Sequence, residues 1–134
     1  MSLDVSPDLL DAAERGEVSD EQFAECVRDS LPYAWRMVSD LSTRLHVDGT
    51  GEVGFVDNTT PPPDEQARGQ LLRALASDAI RGCLERHFGV RLAFQNCHRV
   101  AVFPAGTDKD SEVYGRFTSV RAQLLNQSPL LRDC

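Results

Sequence analysis

No stretch of the chain is apolar for long enough to span a bilayer, and its opening residues, Met1-Ser2-Leu3-Asp4, are acidic where a secretion leader would be basic and then apolar. These two lacks exclude a transmembrane helix and argue against export by the common route. Cysteine is sparse, with four in 134 residues. That is too few for a disulfide scaffold, so reduced thiols in a cytoplasm are expected. Lysine is nearly missing: Lys109 stands beside 13 arginines. Arginine codons are GC-rich and lysine codons are not, so the imbalance reflects a GC-rich genome and is no evidence for phosphate binding. The chain carries no Walker loop, no G-x-S-x-G and no H-E-x-x-H. Nucleotide-dependent and hydrolase readings therefore lack an anchor. There is no internal repeat and no low-complexity tract.

What is present fits one soluble globular domain over residues 1–134, with 41% apolar and 26% charged residues. The net charge of −7 is unevenly spread. Residues 1–65 hold 15 acids against 4 arginines, a balance of −11, and residues 66–134 hold 6 acids against 10 bases, a balance of +4. Halves of opposite sign are expected to neutralise by folding onto each other or onto a second copy.

The patterning predicts an α-rich α+β domain. Ser6, Pro7 and Gly16 bound a first helix at about 7–15. Ser19 and Gln22 form a capping-box pattern ahead of a second, with Phe23, Val27 and Leu31 on one face. Pro32 kinks or divides that segment, and Ala34, Val38, Leu41 and Leu45 resume the stripe. Residues 47–63 read as a Gly/Pro-rich connecting loop with a possible short strand at 52–56. A helix at about 64–88, apolar over most of its girth and stopped by Gly89, is expected to be the buried centre. A β-hairpin at about 90–103 turns at Asn96. Thr107 caps a last helix that buries Val113, Phe117, Val120 and Leu124, and 128–134 is a flexible tail. The whole amounts to four to five helices around the central one, plus a single hairpin.

The densest grouping of reactive side chains is Cys83, His87, Cys97 and His98. Cys83 and His87, four apart, share a helix face. Two thiols and two imidazoles suit tetrahedral zinc, but the spacing C-x3-H-x9-C-H matches no common zinc module, and neighbours in a strand point to opposite faces. A buried core thiol and a last-turn histidine explain the pair without metal, and no cofactor is expected. A thiolate–imidazole nucleophile would need an orienting group and an oxyanion site, and no motif supplies them. Nucleic acid is disfavoured. Arg68, Arg73, Arg81, Arg86, Arg91, Arg99, Arg116 and Arg121 spread over several sides, and the whole chain is acidic, with pI near 4.8.

The segments Thr60–Leu75 and His87–Val100, with Leu124-Leu125-Asn126-Gln127-Ser128-Pro129, resemble a family of small uncharacterised cytoplasmic proteins of Streptomyces and related actinomycetes. The resemblance implies host and compartment and carries over no catalytic or binding residue. Taken with the missing reaction motifs and the surplus of apolar helix faces, the expected function is a non-enzymatic protein-interaction domain acting as a homodimer. The competing expectation is an accessory enzyme or small-ligand binder. Its pocket would lie between the central helix and the hairpin, lined by Cys83, His87, Phe94, Cys97, His98 and Arg99.

Overall fold

The computed structural model describes residues 2–51, 53–58, 60–96 and 98–125. Helix starts follow local side-chain chemistry. Ser6 Oγ accepts from the Leu9 N–H and Pro7 opens α1 (Pro7–Glu14). Ser19 and Gln22 bond reciprocally at the start of α2 (Asp20–Ser30). The second segment divides at Pro32: Leu31 leaves helical geometry (φ −127°, ψ 61°), and α3 (Pro32–Asp48) begins there. Its stripe of Ala34, Val38, Leu41 and Leu45 is buried as the spacing requires.

The expected single helix at 64–88 is two helices. Asp64 caps α4 (Glu65–Leu75), and Ser77 Oγ accepts from the Ile80 N–H to begin α5 (Asp78–Phe88). A serine followed by an aspartate competes with the helical ladder and starts a new first turn, which apolar periodicity alone does not reveal. Nor is this segment the centre. That place belongs to α3, which packs against α2, α4, α5, β1 (Val56–Asp57) and β3 (Val100–Pro104).

The hairpin forms from β2 (Val90–Phe94) and β3, but it is not alone. β1 pairs with β3, Val56 opposite Val102, giving an antiparallel sheet ordered β1-β3-β2. Asn58 extends this contact with its side chain: Nδ2 donates to the His98 carbonyl and Oδ1 accepts from the Val100 N–H at 2.9 Å. Val90, Leu92, Val100, Val102 and Val56 face α3, α4 and α5. Ala93, Ala101 and Phe103 face the other way, against α6 (Glu112–Thr118). With both faces covered, β3 reads as a continuous apolar run.

The expected last helix also divides. Ser111, not Thr107, caps α6, and Ser119 in extended geometry separates it from α7 (Val120–Leu125), giving seven helices among the described residues. Phe117 buries in an aromatic cluster with Phe55, Phe103 and Tyr114. Val120 and Leu124 do not bury. The proposed tail at 128–134 lies outside the described residues.

Candidate functional site

α5 places Cys83 and His87 on one face, and that face turns towards α2, away from the hairpin. Together with Asp20, Glu21, Ala24 and Arg86 they line a pocket of about 120 Å³. Ligand sites for drug-sized molecules start at about 300 Å³, so this one holds a few waters at most. Arg86 reaches Asp20 at 3.3 Å across it. Burial pushes the Cys83 thiol above its ordinary range; Arg86 opposes that shift and Asp20 adds to it. The shift works against a thiolate nucleophile there. His87 packs at a tilt against Trp35 (ring centroids 4.7 Å apart) and edge-to-face with Phe88. Among the described residues no group of His, Cys, Asp and Glu has the geometry to hold a metal ion.

The remaining residues of the expected pocket sit elsewhere, because a five-residue strand carries the chain about 16 Å from Gly89. Phe94 packs against the main core. His98 is buried at the hairpin turn, where Asn96 Oδ1 accepts from its N–H at 2.9 Å and from that of Arg99 at 3.0 Å. Arg99 pairs with Asp57, bonds Gln95 and lies over the Phe117 ring at 5.4 Å. It is a brace between β1, the turn and α6. Cys97 lies outside the described residues. Of the expected lining, Cys83 and His87 thus share one pocket, and Phe94, His98 and Arg99 do not line it.

The expectation of no dinucleotide motif, and so of no anchor for nucleotide chemistry, needs a correction. Gly49-Thr50-Gly51-Glu52-Val53-Gly54 matches G-x-G-x-x-G. Dinucleotide binding needs that loop to leave a strand and open a helix, so that the helix N-terminus meets the phosphates. Here it leaves α3 and enters β1. The neighbouring cavity, about 450 Å³ between Gly49 and Gly89, lies at the C-terminal ends of α3 and α5. Those ends carry partial negative charge and repel a phosphate. The glycines are architectural: Gly54 has φ +90°, and a Cβ there would stand 2.6 Å from Val113 Cγ1.

Two surface features have the character of contact sites. Among the described residues α7 buries nothing: Val120, Leu124 and Leu125 are 77%, 67% and 64% exposed. Between α1 and α2 runs a groove of about 430 Å³, lined by the carboxylates of Asp4, Asp8, Glu25 and Asp29, by Ser6 and Gln22, and by Leu9 and Cys26.

The chain matches the family model KH_NucS_shadow, described as NucS shadow ORF, over residues 1–134. It belongs to the NucS shadow ORF family. No curated protein and no solved structure matches it. KH is also the name of a nucleic-acid module that clamps four nucleotides with a G-x-x-G loop. In that module the loop joins two helices. The two helices between β1 and β2 here are joined by Ala76-Ser77, without glycine and with Asp78 following. The one G-x-x-G of this NucS shadow ORF protein, Gly51–Gly54, lies between α3 and β1 instead.

Proposed function

We propose that this protein is a non-enzymatic interaction domain that pairs with a second copy of itself. The observation that carries the reading is the exposed apolar face of α7. Val120 and Leu124 are four apart and so lie on one side of the helix, and Leu125 projects about 100° round from Leu124. Three large apolar side chains more than half exposed on one short helix suit an interface better than free solvent. The reading gains from the small size of the pocket at Cys83 and His87, about 120 Å³. A cytoplasmic setting in an actinomycete belongs to the same proposal, supported by the free thiols of Cys26 and Cys83 and by the arginine bias. No helix among the described residues is long and apolar enough to cross a membrane.

Light scattering and sedimentation on the full chain test the proposal. A dimer at micromolar concentration that Leu124→Glu converts to monomer is expected. A monomer at every concentration overturns it.

The family description favours a second reading, in which the chain is a reading frame lying over another gene and has no role of its own. Against it stand the helix starts at Ser6, Ser19, Asp64, Ser77 and Ser111, each with a side chain on the right backbone N–H. Such agreement between local and global structure is what a foldable polypeptide has, and it supports the first reading. Tryptic peptides of the chain in cell extracts decide between the two readings, and their absence under all growth conditions favours the second.

A further inference from the structure

We propose that α7 of one copy docks into the groove between α1 and α2 of a second copy, and that the second copy returns the contact. The inference rests on the self-association proposed above and names the surface that receives the apolar helix. The two surfaces match in chemistry. On one side, Val120, Leu124 and Leu125 stand beside Arg121, with Arg116 one helix earlier. On the other, the groove sets Leu9 and Cys26 among four carboxylates, Ser6 and Gln22. Among the described residues no ion pair reaches Asp4, Asp8, Glu25, Arg116 or Arg121, and Asp29 meets only its neighbour Arg28, at 3.1 Å.

The uneven charge of the chain thus has two outlets. One is internal: α2 and α5 meet through Asp20 and Arg86, and β1 meets the hairpin turn through Asp57 and Arg99. The other is an unused surplus of acid on α1–α2, which Arg116 and Arg121 of a second copy, standing against the single acid Glu112 on α6–α7, complement. Reciprocal docking makes the contact twice and closes the pair by two-fold symmetry, so no apolar helix is left to recruit a third copy.

Charge exchange tests this directly. One variant carries Glu25→Arg and Asp29→Arg, both on the exposed side of α2. The other carries Arg116→Glu and Arg121→Glu. Circular dichroism checks that each keeps its helices. Each variant alone is expected to be monomeric where the unaltered chain is dimeric, and an equimolar mixture is expected to form a heterodimer. Raising salt should weaken the unaltered dimer by at least about tenfold, because exposed charges are screened. An unaltered chain that is monomeric overturns the self-association reading and this inference with it. A dimer that ignores both charge reversals, or variants whose mixture stays monomeric, overturns the docking alone. A ladder of sizes growing with concentration overturns the two-fold closure.

Discussion

The residue on which the helical layer depends most sharply is Gln70. Helix α3 starts after Leu31, whose side chain has no atom to accept a hydrogen bond, so its first-turn N–H groups lack a local cap. Gln70 reaches over from α4, and its Oε1 accepts from the Tyr33 N–H at 2.6 Å and the Ala34 N–H at 3.2 Å. The side chain is buried, and so is Ala34, so water cannot replace it. Gln70→Leu keeps most of the volume and removes the acceptor. A local N-cap is worth about 0.5–2 kcal/mol, and a buried donor left unsatisfied costs about 1–3 kcal/mol. We expect a loss of about 2–3 kcal/mol, since Ala34 carries the full penalty and Tyr33, half-buried, only part of it. In a chain of this size that lowers Tm by roughly 10 °C. Gln70→Glu keeps an acceptor at the positive end of a helix, which offsets part of the cost of burying a carboxylate, so it should lose less than the leucine variant. Chemical denaturation followed by Trp35 fluorescence measures both, and amide exchange at Ala34 should quicken only in the leucine variant. If leucine costs nothing, or if leucine and glutamate cost the same, the cap is not what Gln70 contributes.

The Cys83 thiol should resist modification by a disulfide reagent in the folded chain and react once it unfolds. Burial raises its pKa in the fold, so the folded state holds the proton more tightly than the unfolded one; the resulting stability is complete below the ordinary thiol range and is lost as pH rises through and beyond it. A Cys83→Ala variant should lose that alkaline slope, and a slope that survives the substitution assigns it to another group. Gly54→Ala should destabilise by more than about 1 kcal/mol, the cost of a left-handed alanine, because the new methyl also collides with Val113. Pairing it with Val113→Ala should recover the steric part alone, and a Gly54→Ala chain as stable as the original refutes the close approach.

Several elements could be read from the sequence because their causes are local. Ser6 with Pro7, and Ser19 with Gln22, fix two helix starts through bonds that span three residues. The stripe from Ala34 to Leu45 fixes the buried face of α3, Gly89 stops α5, and the alternating apolar residues around Asn96 make the hairpin. What the sequence concealed depends on contacts far along the chain or on competition between two local preferences. β1 is two residues long and exists only because Val102 lies opposite Val56. The apolar girth of 64–88 hid the break at Ser77, since two helices joined by a cap present the same periodicity as one. The expected pocket paired Cys83 and His87 with the hairpin turn because they are close in sequence. Only the packing of α5 on α2 decided which neighbour that face would meet, and it left Arg99 to bind Asp57 and Phe117. Composition and short-range bonding determined the α-rich α+β class and most helix starts. The tertiary structure decided which apolar faces meet within the chain, and it left that of α7 exposed.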